Sequence, residues 1–299
     1  MTETSAPSAA PHRPIVTRTV GEGDDAITYD IHGDLADATP DRPVLFMYAT
    51  PMDAAAFGPM AALVTDRPVV TYDPRGAGRN PTGTSALTPE QHAEDLHRVI
   101  SALGVGPVDV FGSSGGAVTA LALAAAHPGD VRRVVAHEPP TAADLPDREM
   151  VLAAIADIKD TYAASGDGPA MARFIQLVMT DGPLPDDYID RPAPDPTTFG
   201  MSADDDGTRT NPLIRNMPAC NEYRVDVERL GRLGERLVIA VGVESNDEIA
   251  ARGGRAVAAT LGLPVTDFPS HHAGFTSGED SGYPGDPGAF AAKLREVLA

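Results

Sequence analysis

A serine between two small-residue flanks is the feature of this sequence best suited to covalent chemistry. Ser114 lies in the segment GSSGG at 112–116, between an apolar run and a small-residue helical stretch. A G-x-S-x-G pattern between a strand and a helix predicts a tight turn that presents the serine hydroxyl, and glycine on each side avoids clashes with neighbouring backbone. We therefore predict that Ser114 is a nucleophile. The alternatives are a glycine turn that holds a phosphate or has no chemical role, and Ser113, which lacks symmetric glycine flanks.

Two histidines near the C-terminus are candidates for the general base. His271 and His272 follow the apolar run Val265–Phe268 and precede Gly274. A glycine two residues further on allows the loop to turn sharply enough to present the His272 imidazole over the end of a sheet. We predict that His272 is the base. His271 is the alternative, and it is otherwise a surface histidine or a donor behind the site.

The elements that must position these residues follow from a regular alternation of apolar runs and helical patterns. Such runs are typical of strands buried on both faces in a parallel sheet between helices, and the first two predict an antiparallel edge hairpin. The predicted strands are Ile15–Val20, Ala26–Ile31, Val44–Tyr48, Val69–Tyr72, Val108–Phe111, Val131–Ala136, Leu237–Val241 and Val265–Phe268. The predicted helices cover about 53–64, 88–103, 115–127, 148–164, 169–180, 246–262 and 287–298.

The alternation stops between about residues 140 and 235, where helical patterns are broken by loops rich in Pro, Asp and Gly. This segment predicts a helical cap, or lid, inserted into a core domain made of residues 15–139 and 236–299. Residues 1–14 are polar and proline-rich without an apolar core, so we predict a disordered lead rather than a signal peptide.

The chain resembles the α/β-hydrolase superfamily over almost its whole length. Val44–Pro51 occupies the place of that family's strand followed by His-Gly-x-Pro, with Tyr48-Ala49 in place of His-Gly, and segment 72–79 is similar to its Asp-x-Arg-Gly-x-Gly loop. The resemblance implies a mostly parallel eight-stranded sheet with helices on both faces and a helical cap after the sixth strand. It also implies an oxyanion site formed by the backbone N–H groups of Thr50 and Gly115.

The acid that would orient His272 is ambiguous in the sequence. The family places an aspartate three residues after a glycine at the end of the strand that follows the lid, and counting from Gly242 that position holds Ser245. Glu138 directly follows a predicted strand, where haloalkane dehalogenases carry their acid, and Glu244 lies one position before the usual slot. We prefer Glu138 because a strand end fixes its direction better than a loop does. Glu244 and a Ser–His dyad without an acid remain open.

Three other polar residues are predicted to be structural. Asp73 and Arg75 are expected to brace the loop after their strand rather than to bind substrate, and His127 is expected to cap the end of the helix that follows Ser114. No group of residues has the spacing along the chain of a metal site, so neither a metal nor another cofactor is expected.

Composition restricts the partners. A formal net charge of −20 would repel nucleic acid and an anionic membrane surface, so we expect neither. Cys220 is the only cysteine, which excludes an intrachain disulfide and a cysteine zinc cluster. Basic residues other than Lys159 and Lys293 are arginines, which suggests a GC-rich bacterial coding bias. We expect a cytoplasmic bacterial enzyme that binds a small-molecule substrate, and the oligomeric state is left open.

The resemblance implies acyl transfer, in which Ser114 attacks a carbonyl while His272 takes its proton, and water then cleaves the acyl-enzyme. We predict a serine hydrolase of a small to medium carboxylic ester, lactone or thioester. A C–C bond hydrolase or cyclase of secondary metabolism is an alternative on the same fold. A ligand-binding relative with vestigial turnover is another. A haloalkane dehalogenase is disfavoured because it requires a carboxylate in place of Ser114.

Overall fold

The structure is a computed structural model that describes residues 15–80, 83, 85–278 and 284–299. The predicted disordered lead at residues 1–14 lies outside the described residues. Among the residues that are described, no helix is long and apolar enough to cross a membrane.

Eight strands form one sheet in the order β1-β2-β4-β3-β5-β6-β7-β8. The first two pairs, β1 with β2 and β2 with β4, are antiparallel, and the other pairs are parallel. The strands are β1 Ile15–Val20, β2 Ile27–His32, β3 Leu45–Thr50, β4 Val69–Tyr72, β5 Val108–Ser114, β6 Val131–His137, β7 Leu237–Gly242 and β8 Val265–Phe268. The predicted fold, a mostly parallel sheet with an antiparallel edge hairpin, is confirmed.

The two central strands extend further than their apolar runs predict. β5 continues through the polar GSS segment to Ser114, and β3 continues to Thr50. The reason is the parallel ladder between them, which pairs Thr50 with Ser114 and so keeps both segments extended. These two residues therefore lie side by side at the carboxyl edge of the sheet.

Helices cover both faces of the sheet and fill the segment between β6 and β7. They are α1 Gly58–Leu63, α2 Pro89–Leu103, α3 Gly115–Ala126, α4 Arg148–Ser165, α5 Asp167–Val178, α6 Pro212–Glu222, α7 Val227–Gly231, α8 Ile249–Leu261 and α9 Pro287–Leu298. The sequence pattern did not predict α6, because Pro212 and Pro218 suggest a loop. Pro212 instead occupies the first turn, where a missing N–H has no cost, and Asn211 caps the helix through Leu213 N.

The apolar side chains form three clusters. Two of them cover the two faces of the sheet, one under α2 and α3 and the other under α1 and α9. The third joins α4, α5 and α6 with the start of α8, and includes Ile155, Ile158, Leu177 and Ile214. The helices between β6 and β7 thus have an apolar core of their own above the carboxyl edge of the sheet.

The loop that follows β4 is braced by ion pairs, as the sequence predicted. The buried carboxylate of Asp73 accepts hydrogen bonds from Ala54 N at 2.9 Å and from Arg79 Nε at 2.8 Å. Arg75 donates to both oxygens of Asp95, at 2.6 and 2.8 Å. These contacts hold the loops after β3 and β4 together beside the site, and they leave Asp73 and Arg75 in the structural role expected for them.

Candidate active site

Ser114 lies at a sharp bend where β5 ends and α3 begins. Its backbone has φ 55° and ψ −129°, a conformation that side-chain-bearing residues rarely adopt. The glycines on either side make the bend possible. A Cβ atom on Gly112 would lie 2.4 Å from Gly116 O, and one on Gly116 would lie 2.7 Å from Ala49 Cα. The G-x-S-x-G spacing is therefore a steric requirement of this turn.

The two adjacent serines have different surroundings. Ser113 is fully buried, and its hydroxyl shares a hydrogen bond of 3.0 Å with His137 Nδ1. Burial lowers the pKa of His137 to about 4, so that imidazole is neutral at physiological pH. Ser114 is half-buried and lines the cavity above the sheet. Only Ser114 of this pair has a hydroxyl that a substrate can reach.

Glu138 and His272 form a hydrogen-bonded pair at the same edge of the sheet. His272 Nδ1 lies 2.6 Å from Glu138 Oε2, and Gly242 N donates to Glu138 Oε1 at 2.7 Å. The carboxylate is fully buried at the first residue after β6, and its backbone N–H donates to Ala240 O of β7. Burial acts to raise the pKa of Glu138, but the hydrogen bond with His272 and the nearby histidines outweigh burial and hold it at about 2.

The ionised carboxylate defines the state of His272. Because it can only accept, Nδ1 of His272 carries the proton and Nε2 is free to act as a base. Burial acts to lower the pKa of His272, but the hydrogen bond and charge of Glu138, together with the charge of Glu248, raise it above its ordinary value of 6.5. His272 lines the same cavity as Ser114. Within the described residues the Ser114 hydroxyl makes no hydrogen bond with His272; in enzymes without substrate such contacts are often long.

Glu244 does not take part in this arrangement. Its side chain is exposed, and it makes no hydrogen bond to any described residue, although its backbone N–H donates to Ser270 O. The structure therefore pairs His272 with Glu138 and not with Glu244, because the loop after β7 turns the Glu244 side chain toward solvent. Ser245, in the family's usual acid position, is fully buried near Glu138. Its hydroxyl contributes to lowering the pKa of the Glu138 carboxyl, although Ser245 Oγ has no hydrogen bond of normal geometry.

His271 holds the histidine loop rather than lying on the surface. It is buried, its Nε2 lies 3.1 Å from Pro284 O, and its Nδ1 accepts from Ala273 N at 3.2 Å. These contacts fix the backbone on both sides of His272.

The arrangement agrees with what comparison with known proteins finds. Residues 42–211, more than half of the chain, match the family described as alpha/beta hydrolase fold. The chain belongs to the α/β-hydrolase-fold family. A Bacillus subtilis relative named "Uncharacterized hydrolase YraK" is 41% identical over 73 residues, which are 24% of this chain and 27% of the relative. The chain thus matches about a quarter of the length of that curated relative.

Solved α/β-hydrolase structures extend the similarity to the whole fold. An enol-lactonase from Burkholderia xenovorans LB400 is similar with a TM-score of 0.61 and 20% identity, over 91% of this chain and 96% of that one. A thermophilic esterase from Thermogutta terrifontis is similar with a TM-score of 0.61 and 17% identity, over 96% of this chain and 100% of that one. At these identities the likeness concerns the fold.

The predicted oxyanion residues of this α/β-hydrolase lie together at the bend. Thr50 pairs with Ser114 across the β3–β5 ladder, and Thr50 and Gly115 both line the cavity. The backbones are so close that a Cβ atom on Gly115 would lie 2.8 Å from Thr50 O. Gly115 is also the first residue of α3, where the N–H groups have no partner in the helix. The geometry is suited to binding a negatively charged oxygen beside Ser114.

The cavity above these residues is about 470 Å³ in volume, and its walls are mostly apolar. The sequence places five apolar side chains at helical spacing between Met171 and Met179. Phe174 and Val178 of α5 and Met179, which follows α5, line the cavity, whereas Met171 and Ile175 do not. Another part of the wall comes from α6, a helix that the sequence did not predict because it contains Pro212 and Pro218. The cavity-lining residues of α6 are Pro212, Leu213, Asn216, Met217, Cys220 and Asn221.

Three titratable side chains of the cavity were not anticipated: His92, whose pKa burial lowers to about 4, Cys220 and Glu248. Burial raises the pKa of the Cys220 thiol to about 12, so it remains protonated and is not a competing nucleophile. Glu248 precedes α8 and is half-buried, and its carboxylate makes no hydrogen bond to a described residue. Partial burial, together with the charge of Glu138, raises the pKa of Glu248 despite the opposing effect of His272. The only hint in the sequence was its position after β7, three residues beyond the usual acid slot.

Proposed function

We propose that the protein is a serine hydrolase that cleaves a small to medium carboxylic ester, lactone or thioester through an acyl-enzyme on Ser114. The observation that carries the proposal is the hydrogen-bonded pair of Glu138 and His272, whose imidazole lines the same cavity as the serine at the bend. A nucleophile, a base and a group that orients the base are the three parts that acyl transfer requires.

In the proposed mechanism His272 Nε2 accepts the proton of the Ser114 hydroxyl as its oxygen attacks the carbonyl carbon. The N–H groups of Thr50 and Gly115 then donate to the oxyanion of the tetrahedral intermediate. The imidazolium that forms is stabilised by the ionised Glu138 and returns its proton to the leaving alcohol or thiol. His272 Nε2 then takes a proton from water as the water oxygen attacks the acyl carbon, and the imidazolium returns that proton to Ser114 Oγ as the acid leaves.

The cavity supports an uncharged substrate with an apolar part. Its walls are apolar, and the charged groups on its border include the carboxylate of Glu248 beside His272. Glu248 would repel a negatively charged substrate group in this low-dielectric space, whereas an alkyl or aryl group would gain binding free energy by leaving water. The printed names of two similar structures, an enol-lactonase and an esterase, describe reactions of the same chemical class.

We further propose that the helices between β6 and β7 act as the cap. They have their own apolar cluster, and α5 and α6 provide two walls of the cavity above Ser114. Substrate would then be held between this cap and the carboxyl edge of the sheet, so the side chains of α5 and α6 would set the size of the acyl or alcohol group.

Labelling with a fluorophosphonate probe tests the proposal, because the probe reacts with an activated serine and forms a stable adduct. We expect rapid labelling of the protein, its loss in Ser114→Ala, and a peptide mass shift that maps to Ser114. Ser113→Ala is the matched control, since Ser113 is buried and bonded to His137; that variant should still be labelled. Absence of labelling in a folded wild-type sample would contradict the proposal and favour a ligand-binding relative without turnover.

A further inference from the structure

Two histidines and two carboxylates meet at the end of α3 that is remote from Ser114. His97 and Glu94 lie one turn apart on α2, His127 ends α3, and Asp130 follows in the next turn. One potential ligand atom each of His97, His127 and Asp130 lies within 4.8 Å of the other two. Since α3 has 12 residues, the cluster is about 18 Å from the nucleophile. It is thus separate from the candidate active site.

The contacts within the cluster pair each ring with a carboxylate. His97 Nδ1 lies 2.6 Å from Asp130 Oδ2, and His127 Nε2 lies 2.7 Å from Glu94 Oε1. The two rings are stacked, with 3.9 Å between their centroids and 7° between their planes. The histidine at the helix end therefore does more than cap α3, the role that the sequence predicts for it.

The charges of this arrangement suit one divalent cation. Among the described residues, Asp130 and Glu94 form side-chain pairs with these two histidines and with no arginine or lysine. A single divalent ion would bind imidazole nitrogen and carboxylate oxygen at the same point. The C-terminal carbonyl groups of α3 add negative potential at the same point and favour a cation there.

The donor set indicates which kind of ion. The ligand atoms of His97, His127 and Asp130 already lie together, and the exposed side chain of Glu94 beside His127 would supply the fourth ligand by turning toward them. Two imidazole nitrogens and two carboxylate oxygens are ligands that Zn²⁺ accepts in a four-coordinate site, whereas Mg²⁺ prefers oxygen alone. The rings must turn out of the stack for both lone pairs to point at one ion. The side chains of His97 and His127 are 35% and 23% exposed, so they have room to turn and the ion has access.

We propose that Glu94, His97, His127 and Asp130 form a binding site for a divalent transition-metal ion, with Zn²⁺ the best match, that links α2 to the end of α3. This site has no part in the proposed hydrolysis. It acts on the fold, because an ion bound only by the folded state stabilises that state.

Isothermal titration of zinc chloride into the metal-free full-length protein tests the site. We expect one ion per chain, an increase in Tm with zinc, and no comparable response to magnesium chloride. Co²⁺ should give the visible spectrum of a four-coordinate site with nitrogen and oxygen ligands. In His97→Gln/His127→Gln the affinity for zinc should fall at least about tenfold, since both imidazole ligands are removed.

Two further variants keep the test decisive. Glu94→Gln/Asp130→Asn leaves the imidazoles in place and should also weaken binding, so that a folding defect in the histidine variant does not obscure the result. Asp205→Asn/Asp226→Asn removes two carboxylates that are paired with arginines elsewhere, and it should bind zinc as the wild type does. Zinc binding that survives both cluster variants, or no binding by the wild type, would overturn the proposal.

Discussion

Glu138 Oε2 lies 2.6 Å from His272 Nδ1, and the other oxygen of the same carboxylate accepts the backbone N–H of Gly242 at 2.7 Å. The second contact matters as much as the first. A backbone N–H can only donate, so an oxygen of the side chain at position 138 must face Gly242 N. The other terminal atom of that side chain then faces His272.

This geometry makes Glu138→Gln an informative variant. The amide oxygen will face Gly242 N–H, which leaves the amide NH₂ toward His272 Nδ1. The imidazole must then accept at Nδ1 and carry its proton on Nε2, where it cannot take the proton of Ser114. We expect kcat to fall by at least about a hundredfold, measured with a chromogenic ester.

Glu244→Gln is the matched control for that loss. It removes the same charge from an exposed side chain two positions after Gly242, and we expect its kcat to equal that of the wild type. A loss in Glu244→Gln without a loss in Glu138→Gln would transfer the orienting role to Glu244.

The pH dependence of activity should report the charges around His272. The base must be neutral, so kcat/KM rises with pH through the pKa of His272, which lies above 6.5. The carboxyl of Glu138, with a pKa of about 2, stays ionised across this range. Glu248→Gln removes a negative charge that raises the pKa of His272, and we therefore expect the acidic limb of the profile to move to lower pH.

The control for this shift is Asp247→Asn. The exposed Asp247 is adjacent in sequence, but its carboxylate is bonded to Arg255 at 3.1 Å. Its removal should leave the midpoint of the acidic limb in place. If both variants move the midpoint equally, the effect is one of net charge and not of the position of Glu248.

The sequence was sufficient for the fold and for the placement of Ser114 and His272 at one edge of the sheet. Apolar runs mark buried strands directly, and the steric demands of the bend leave a visible glycine pattern. The choice between Glu138 and Glu244 depended on side-chain direction. The strand-end position favoured Glu138 in the sequence, and the structure agrees, because the Glu138 carboxylate is buried against Gly242 N and His272. The backbone bond from Glu138 N to Ala240 O of β7, which holds this residue in place, is not visible in the sequence.

Two further features were hidden for related reasons. α6 carries Pro212 and Pro218, so local sequence signals favoured a loop, although packing against α4 produces a helix that lines the cavity. The His97–His127 stack joins residues 30 positions apart on α2 and α3. Spacing along the chain does not reveal this stack, because the packing of two helices brings its residues together.

The glycines of the bend provide a test of stability. In Gly116→Ala the new methyl would meet Ala49 Cα at 2.7 Å and Tyr48 O at 2.8 Å, which are backbone atoms of a central strand. We expect a loss of about 1–3 kcal/mol in the free energy of unfolding, measured by urea denaturation. Gly129→Ala has open space around the added atom, and it should change the free energy by less than about 0.5 kcal/mol. Equal stability of the two variants would mean that the bend is not as tight as described.

The apolar cavity predicts how rate depends on the length of the acyl chain. Each additional methylene that leaves water for an apolar wall contributes up to about 0.8 kcal/mol, so kcat/KM should rise by about two- to fourfold per carbon until the space is filled. Val178 of α5 lines this space and is partly buried. In Val178→Phe we expect kcat/KM for the longest accepted ester to fall by about tenfold or more, and that for the acetyl ester to stay within about twofold.

Val243→Phe is the comparison that separates pocket shape from added bulk. Val243 is 59% exposed just beyond β7 and does not line the cavity, so the same change there should leave the whole chain-length series unaltered. The result distinguishes two positions for the acyl group. Val178→Phe could instead lower kcat/KM equally for every acyl length and more strongly for esters of larger alcohols. In that case α5 contacts the leaving group, and the acyl chain lies against α6.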